Sequence, residues 1–158
     1  MGTIAIIVVT ALVTIIAAWA YFTAQRLNRL HIRTAAALQA LRAALDHRAH
    51  LVVATVPEAQ EAANRAAAIE MSYATLDARA VAEVQVEEAL RDAPERQDTQ
   101  RALVDASTRV ELARRFYNDA VTDTRALRTR PLVRALRLGG TARLPEYFEQ
   151  VHVPSADN

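Results

Sequence analysis

His47 and His50 stand three residues apart, a spacing that places two imidazoles on one helix face where they could share a metal ion. A site needs three or four ligands, and no third partner is obviously placed beside them, so solvated or seam-edge histidines are the plainer reading. Glu87-Glu88 and the pair Asp119 and Asp123 are carboxylates of the kind that bind metal or exchange protons. On an exposed helix face such pairs are far more often solvated charge, and the Glu-x-x-His motif of a dimetal bundle is absent. Serine occurs only at Ser72, Ser107 and Ser155, never in a G-x-S-x-G setting, which speaks against a serine hydrolase. The chain has no cysteine, so disulfides, thiolate metal sites and a cysteine nucleophile are excluded. Three glycines in 158 residues leave little material for a phosphate-cradling loop. The residue types therefore lead to the expectation of no catalytic set, no metal and no cofactor.

Arginine is the other candidate chemistry. The 19 basic residues are all Arg, which reads as coding bias, and they nearly balance 18 acids. A net charge of +1 argues against a general nucleic-acid binder. From Arg125 to Arg143 six arginines (Arg125, Arg128, Arg130, Arg134, Arg137 and Arg143) occur with no acid between them. Such a stretch can lie on anionic lipid, meet an acidic or phosphate-bearing partner, or simply end a helix favourably. Leu132, Leu136, Leu144, Tyr147 and Phe148 lie beside these arginines. Arg130, Arg134, Arg137, Tyr147 and Phe148 form a candidate partner surface, and a hydrophobic cap over the end of a bundle is the favoured alternative.

The elements that must carry these residues begin with an apolar run. No ionic side chain precedes Arg26. Ile4, Ile6, Ile7, Val8, Val9, Leu12, Val13, Ile15 and Ile16 together favour membrane insertion by roughly 3–5 kcal/mol. Thr3 to Phe22 is long enough, at ~1.5 Å per residue, to cross ~30 Å of hydrocarbon. Trp19, Tyr21 and Phe22 cluster at one end, where an interfacial aromatic belt belongs. A cleaved signal peptide needs a basic leader and a small-residue cleavage site, and neither is evident, so an uncleaved anchor over 1–25 is expected. Arg26, Arg29 and Arg33 follow the span, with no acid before Asp46. The positive-inside rule then puts the N-terminus outside and the remainder in the cytoplasm, at the plasma membrane.

No Gly or Pro interrupts residues 3–56. Leu30, Thr34, Leu38, Leu41, Leu45, Ala49, Val52 and Val56 recur at steps of three and four, one helical stripe that extends the membrane rod. Thr55-Val56-Pro57-Glu58 reads as a capping box with Pro in the first turn. A second helix is predicted from Val56 to about Arg91, striped by Ala62, Ala66, Ile69, Tyr73, Leu76, Ala80 and Val84, with a kink at Pro57 in one continuous helix as the alternative. Asp92-Ala93-Pro94-Glu95 marks a break. Beyond it Leu103, Ala106, Val110, Ala113, Tyr117, Ala120, Thr124 and Leu127 form a heptad seam ended by Pro131. A short helix over 132–138, stopped by Gly139-Gly140, and a loose tail complete the chain. The expected fold is all-α, with a transmembrane helix (1–25), a bundle of three long antiparallel helices with a thin Ala-rich core (26–130) and a short basic C-terminal element (131–158). With three helices, the 92–98 turn falls near the bilayer and the Pro131 end ~45 Å away, which disfavours a lipid role for the basic segment.

The run Arg109-Val110-Glu111-Leu112-Ala113-Arg114-Arg115-Phe116-Tyr117-Asn118-Asp119-Ala120-Val121 resembles the R-I-x-x-A-R-x-x-Y-N-x-A-V signature of the LemA family. Pro131 to Gly140 and Pro145-Glu146-Tyr147-Phe148-Glu149 are similar to that family's closing segment. Two positions depart: Thr124-Arg125 stands where the family usually carries a second Tyr-Asn, and only a displaced proline remains of its Asp-Leu-Ile-Pro-Asn-Leu run near Leu51 to Pro57. The resemblance covers about two-thirds of the post-anchor chain and implies a divergent member with an anchored helical bundle and no established catalysis or cofactor. Its motif residues here are Arg109, Ala113, Arg114, Tyr117 and Asn118. Leu27 to Thr34 and Leu45 to Ala49 look like actinobacterial membrane proteins, some of which accompany the cytochrome bc–oxidase respiratory supercomplex. The expected function is a non-catalytic, anchored scaffold or accessory subunit that contacts the lipid bilayer and other membrane or cytoplasmic proteins, a respiratory complex among them. The thin seam leaves room for homo-oligomers. A signalling stalk and, last, a metal-dependent bundle enzyme are the alternatives.

Overall fold

The computed structural model describes residues 2–94, 97–135 and 144–149. Helix α1 runs unbroken over Gly2–Thr55, 54 residues, as the absence of Gly and Pro from 3–56 leads one to expect. It is long and apolar enough to cross a membrane, and no part of its apolar window is buried inside the chain. A 3₁₀ turn over Pro57–Ala59 follows, then α2 (Gln60–Ala68), α3 (Leu76–Asp92), α4 (Gln97–Arg128) and α5 (Pro131–Ala135). There is no strand among the described residues. Arg137, Leu136, Gly139-Gly140, Arg143, Glu95 and the tail from 150 lie outside the described residues.

The α1 stripe is the bundle's spine. Thr34, Leu38, Leu41, Leu45, Ala49, Val52 and Val56 are buried and Leu30 is half-buried. Facing it is the α4 seam, with Ala106, Val110, Tyr117, Ala120, Thr124 and Leu127 buried and Leu103 and Ala113 half-buried. Chain reversal at Pro57 also occurs as expected, but without a capping box. Thr55 still belongs to α1 and turns its hydroxyl back to the Leu51 carbonyl at 2.7 Å, so Val56 stands at the N-cap with no side-chain oxygen to offer.

The second long helix is not continuous. It breaks between Ile69 and Thr75, giving α2 and α3. No Gly or Pro causes this. The Thr75 hydroxyl donates to the Glu70 carbonyl (2.6 Å) and accepts from the Ser72 amide (2.9 Å), and the Ser72 hydroxyl accepts from the Ala74 amide (3.3 Å). Short hydroxyl side chains thus replace the helical ladder with a local turn. Met71 is driven into the core by the same turn.

This extra reversal inverts the expected arrangement of the rest. Residue pairs fix the direction of α3: Asp46 meets Arg79, Arg48 meets Glu83 and Glu87, and Val52 and Val56 share a cluster with Ala82 and Val86. Helix α3 therefore runs with α1, away from the apolar end, and α4 returns antiparallel to α1. Leu103 joins the Val56 cluster, Asp123 pairs with Arg33 at 2.9 Å, and the Thr124 and Thr34 hydroxyls meet at 2.9 Å. At the far end of α4, Leu127 and Val133 pack on Leu27, with Leu30 alongside. The Pro131 end thus lies beside the exit of the apolar run, and Ala93–Pro94 and the start of α4 lie at the remote end, the reverse of the three-helix expectation.

Among the described residues three clusters fill the interior. The central one joins Leu38, Leu41, Leu45, Met71, Leu76, Val110, Tyr117, Val121 and Phe148. The remote one is almost wholly Ala and Val, which lets backbones approach closely with little apolar area per residue. The third is the small Leu27–Leu127–Val133 contact.

Candidate partner-binding groove

Two polar constructions tie the bundle together. The first is a buried ion network between α1 and α3. Arg79 donates through Nε to Glu83 Oε1 (2.7 Å) and through Nη2 to Asp46 Oδ1 (3.0 Å), while Arg48 donates to Glu83 Oε2 (2.6 Å) and to Glu87 Oε1 (3.1 Å). Arg79 and Glu83 are each 1% exposed and Arg48 is 2% exposed. Arg79 Nη1 also donates to the Ile69 carbonyl at 3.3 Å, satisfying an end carbonyl of α2. Arg48 Nε has no partner. Sequence reading missed this network. Its signal was slight: the i,i+4 pair Arg79 and Glu83, whose usual place is an exposed face.

The second construction uses the motif residues. Tyr117, fully buried, donates to the Glu146 carbonyl at 2.7 Å. Burial pushes its phenol well above the ordinary tyrosine range, with smaller contributions from Tyr73 and Glu146. The Asn118 amide makes a two-way bond with Phe148, accepting from its N–H (2.9 Å) and donating to its carbonyl (3.2 Å). Arg125 donates to the Pro145 carbonyl at 3.1 Å and lies 5.4 Å from the Tyr147 ring centroid. Residues 144–149 are thereby strapped along α4. Phe148 is 1% exposed within the central cluster, so it is not part of a partner surface, and Tyr147 is half-buried by the strap. The segment seals the flank of the core and does not cap the bundle's open end. Of the remaining motif residues, Arg109 is exposed and Ala113 half-buried. Arg114 pairs with Glu111 one turn away, which holds that carboxyl below the usual range.

The other sequence candidates do not converge. His47, His50, Glu87, Glu88, Asp119 and Asp123 are all exposed, and Asp123 is engaged with Arg33. No three His, Asp or Glu residues group as a metal site among the described residues. Arg130 and Arg134 are exposed at the Leu27 end, and His31 is held below the ordinary imidazole range by burial and, secondarily, by Arg128.

What the fold does build is a groove at the remote end, of about 910 Å³. Val56, Leu90, Ala93 and Pro94 form one side and Leu103, Val104, Ser107, Thr108 and Leu112 of α4 the other. Arg91, Glu111 and Arg115 bring charge to it. On α4 the exposed Val104, Leu112 and Phe116 continue the apolar floor, with Leu112 at 54% exposure. This is a second stripe, on the face of α4 turned from α1, which the heptad reading did not single out. Its spacing is that of an apolar helix face lacking a neighbour.

No family model, curated protein or solved structure matches the chain.

Proposed function

We infer that the chain is a non-catalytic, single-pass membrane protein whose bundle binds another protein, as a scaffold or accessory subunit of a larger membrane complex. The resemblance of Arg109–Val121 to the LemA signature favours this class, and the α1 exit looks like actinobacterial membrane proteins, some of which accompany a respiratory complex, the partner assembly we propose. The observation that carries the reading is the groove: an apolar trough bordered by charge, beside the uncovered Val104–Leu112–Phe116 stripe, suited to an amphipathic helix laid between α3 and α4. The orientation, N-terminus outside and bundle in the cytoplasm at the plasma membrane, is supported by Arg26 and Arg29 directly after the span. Because the chain has no cysteine, single-cysteine labelling from either side tests that orientation cleanly.

A photo-crosslinker at Leu112 in intact membranes tests partner binding. Capture of a defined membrane or cytoplasmic protein, lost on Val104→Asp, is the expected result. Recovery of the protein alone from mild detergent with no adduct at Leu112 overturns the reading, and an adduct only to a second copy replaces it with a homo-oligomer. A signalling stalk is a second reading, favoured by the unbroken passage of α1 from the span into the bundle. Rotating the bundle by about 200° with two inserted alanines at Thr23 leaves Leu112 capture unchanged in a scaffold and alters it in a stalk.

A further inference from the structure

The inverted course of α4 brings two separate arginine groups to one level. Leu27 lies five residues beyond Phe22, about 7.5 Å along α1. A bilayer has roughly 5–8 Å of headgroup layer on each side of its hydrocarbon. The Leu27–Leu127–Val133 contact therefore fixes the end of α4 and all of α5 at headgroup depth, if Thr3–Phe22 fills the hydrocarbon. Arg26 and Arg29 of α1 and Arg130 and Arg134 around α5 are exposed there. Neither residues 23–33 nor residues 124–135 contain an acid, and Asp123, just outside, is engaged by Arg33. Leu132 is 62% exposed between these arginines, back to back with buried Val133. An exposed leucine flanked by guanidiniums suits the boundary between headgroup and acyl chain, and each such cation near an anionic surface adds to the attraction.

We propose that the α1 exit and the α4–α5 corner form a basic collar that binds the headgroups of anionic phospholipids and seats the bundle upright on the membrane. Guanidinium groups pair with the lipid phosphates through charge-assisted hydrogen bonds, and Leu132 enters the acyl boundary. The collar rests on the membrane-span reading and goes beyond protein binding, because its ligand is the bilayer that holds the anchor.

Trp19, the sole tryptophan, lies at the same end of the span and reports on the lipids beside the collar. The full chain is reconstituted into phosphatidylcholine–phosphatidylglycerol vesicles in which one lipid or the other carries brominated acyl chains. The expected result is that brominated phosphatidylglycerol quenches Trp19 at several-fold lower mole fraction than brominated phosphatidylcholine, with the preference shrinking in high salt. Arg130→Gln with Arg134→Gln removes most of that preference, whereas Arg101→Gln, on the remote part of α4, leaves it intact. Equal quenching by both lipids in the unmodified chain overturns the collar and leaves an acidic protein as the better match for these arginines. A preference that survives the double change and vanishes only with Arg26→Gln and Arg29→Gln also overturns it, since the α1 flank alone then suffices. No quenching by either lipid removes the span itself, an outcome distinct from failure of lipid selectivity. Both altered arginines are exposed, so unchanged helicity is expected and is checked by circular dichroism.

Discussion

Glu83 is the residue on which α1 and α3 depend most. Its two oxygens serve two buried guanidiniums, so Glu83→Ala takes away their shared buried carboxylate and leaves Arg79 only the carboxylate of Asp46 and Arg48 only that of Glu87, both more exposed. Breaking a buried pair from one side costs about 3–5 kcal/mol, and denaturant unfolding in detergent is expected to show a loss of that size. A loss below ~1 kcal/mol would mean that Asp46 and Glu87 alone hold the two guanidiniums. Asn118 acts at the strap. Asn118→Ala removes both bonds to Phe148 and leaves a main-chain N–H and carbonyl to find other partners, a cost of about 1–3 kcal/mol. Hydrogen exchange at the Phe148 amide is expected to accelerate by orders of magnitude while the amides of α1 stay protected. His31 titrates below ordinary imidazole, for burial first and Arg128 second. A folded imidazole with a lowered pKa binds fewer protons than its unfolded counterpart, so its contribution is complete above the unfolded pKa of about 6.5 and is lost as pH falls below it. In an NMR titration Arg128→Gln is expected to raise the His31 midpoint only part of the way, because burial remains. The Tyr-Asn pair was legible in sequence because Tyr117 falls on the seam. Its partners at Glu146 and Phe148 were not, since a hydrogen bond to a main-chain atom 29 or 30 residues away has no residue-type signature.

At the level of elements, α1 and α4 were legible because leucine, valine and alanine recur every three or four residues with no imino acid or glycine among them. Pro57 and Pro94 marked two of the reversals. The third was hidden. Ile69, Tyr73 and Leu76 stay in phase with the stripe, so the periodicity passes straight through a turn made by Ser72 and Thr75. Thr75→Ala is expected to remove the bonds to Glu70 and Ser72 and to cost about 1 kcal/mol, seen as a lower thermal midpoint with α1 helicity retained. An unchanged midpoint would show that Met71 burial alone sets the turn. The consequence of that hidden turn exceeds its size. One further reversal sends α3 away from the span and brings α4 back to it, moving the basic corner from remote to adjacent and the Ala93–Pro94 turn to the open end.

For the whole molecule, the 54-residue α1 is the spine, its first part long and apolar enough to cross a membrane, and the two ends of the bundle differ in character. Near the span, α4 and α5 close on Leu27 and gather cations; at the opposite end an Ala- and Val-lined core leaves a groove uncovered. Leu112→Arg and Val104→Asp alter exposed positions and are expected to change stability by no more than about 0.5 kcal/mol, while abolishing partner capture. Loss of folding in either variant would mean the groove is part of the core. The antiparallel course of α4 sets the character of both ends. It is tested most directly by electron-paramagnetic distance measurement between spin labels on cysteines placed at Asn28 and Thr129, in the otherwise cysteine-free chain in a bilayer. Helices in contact lie 8–10 Å apart, so a distance within about 20 Å is expected once label arms are included. A distance near 45 Å, the length of a ~30-residue helix, would put the end of α4 far from the membrane and contradict the account.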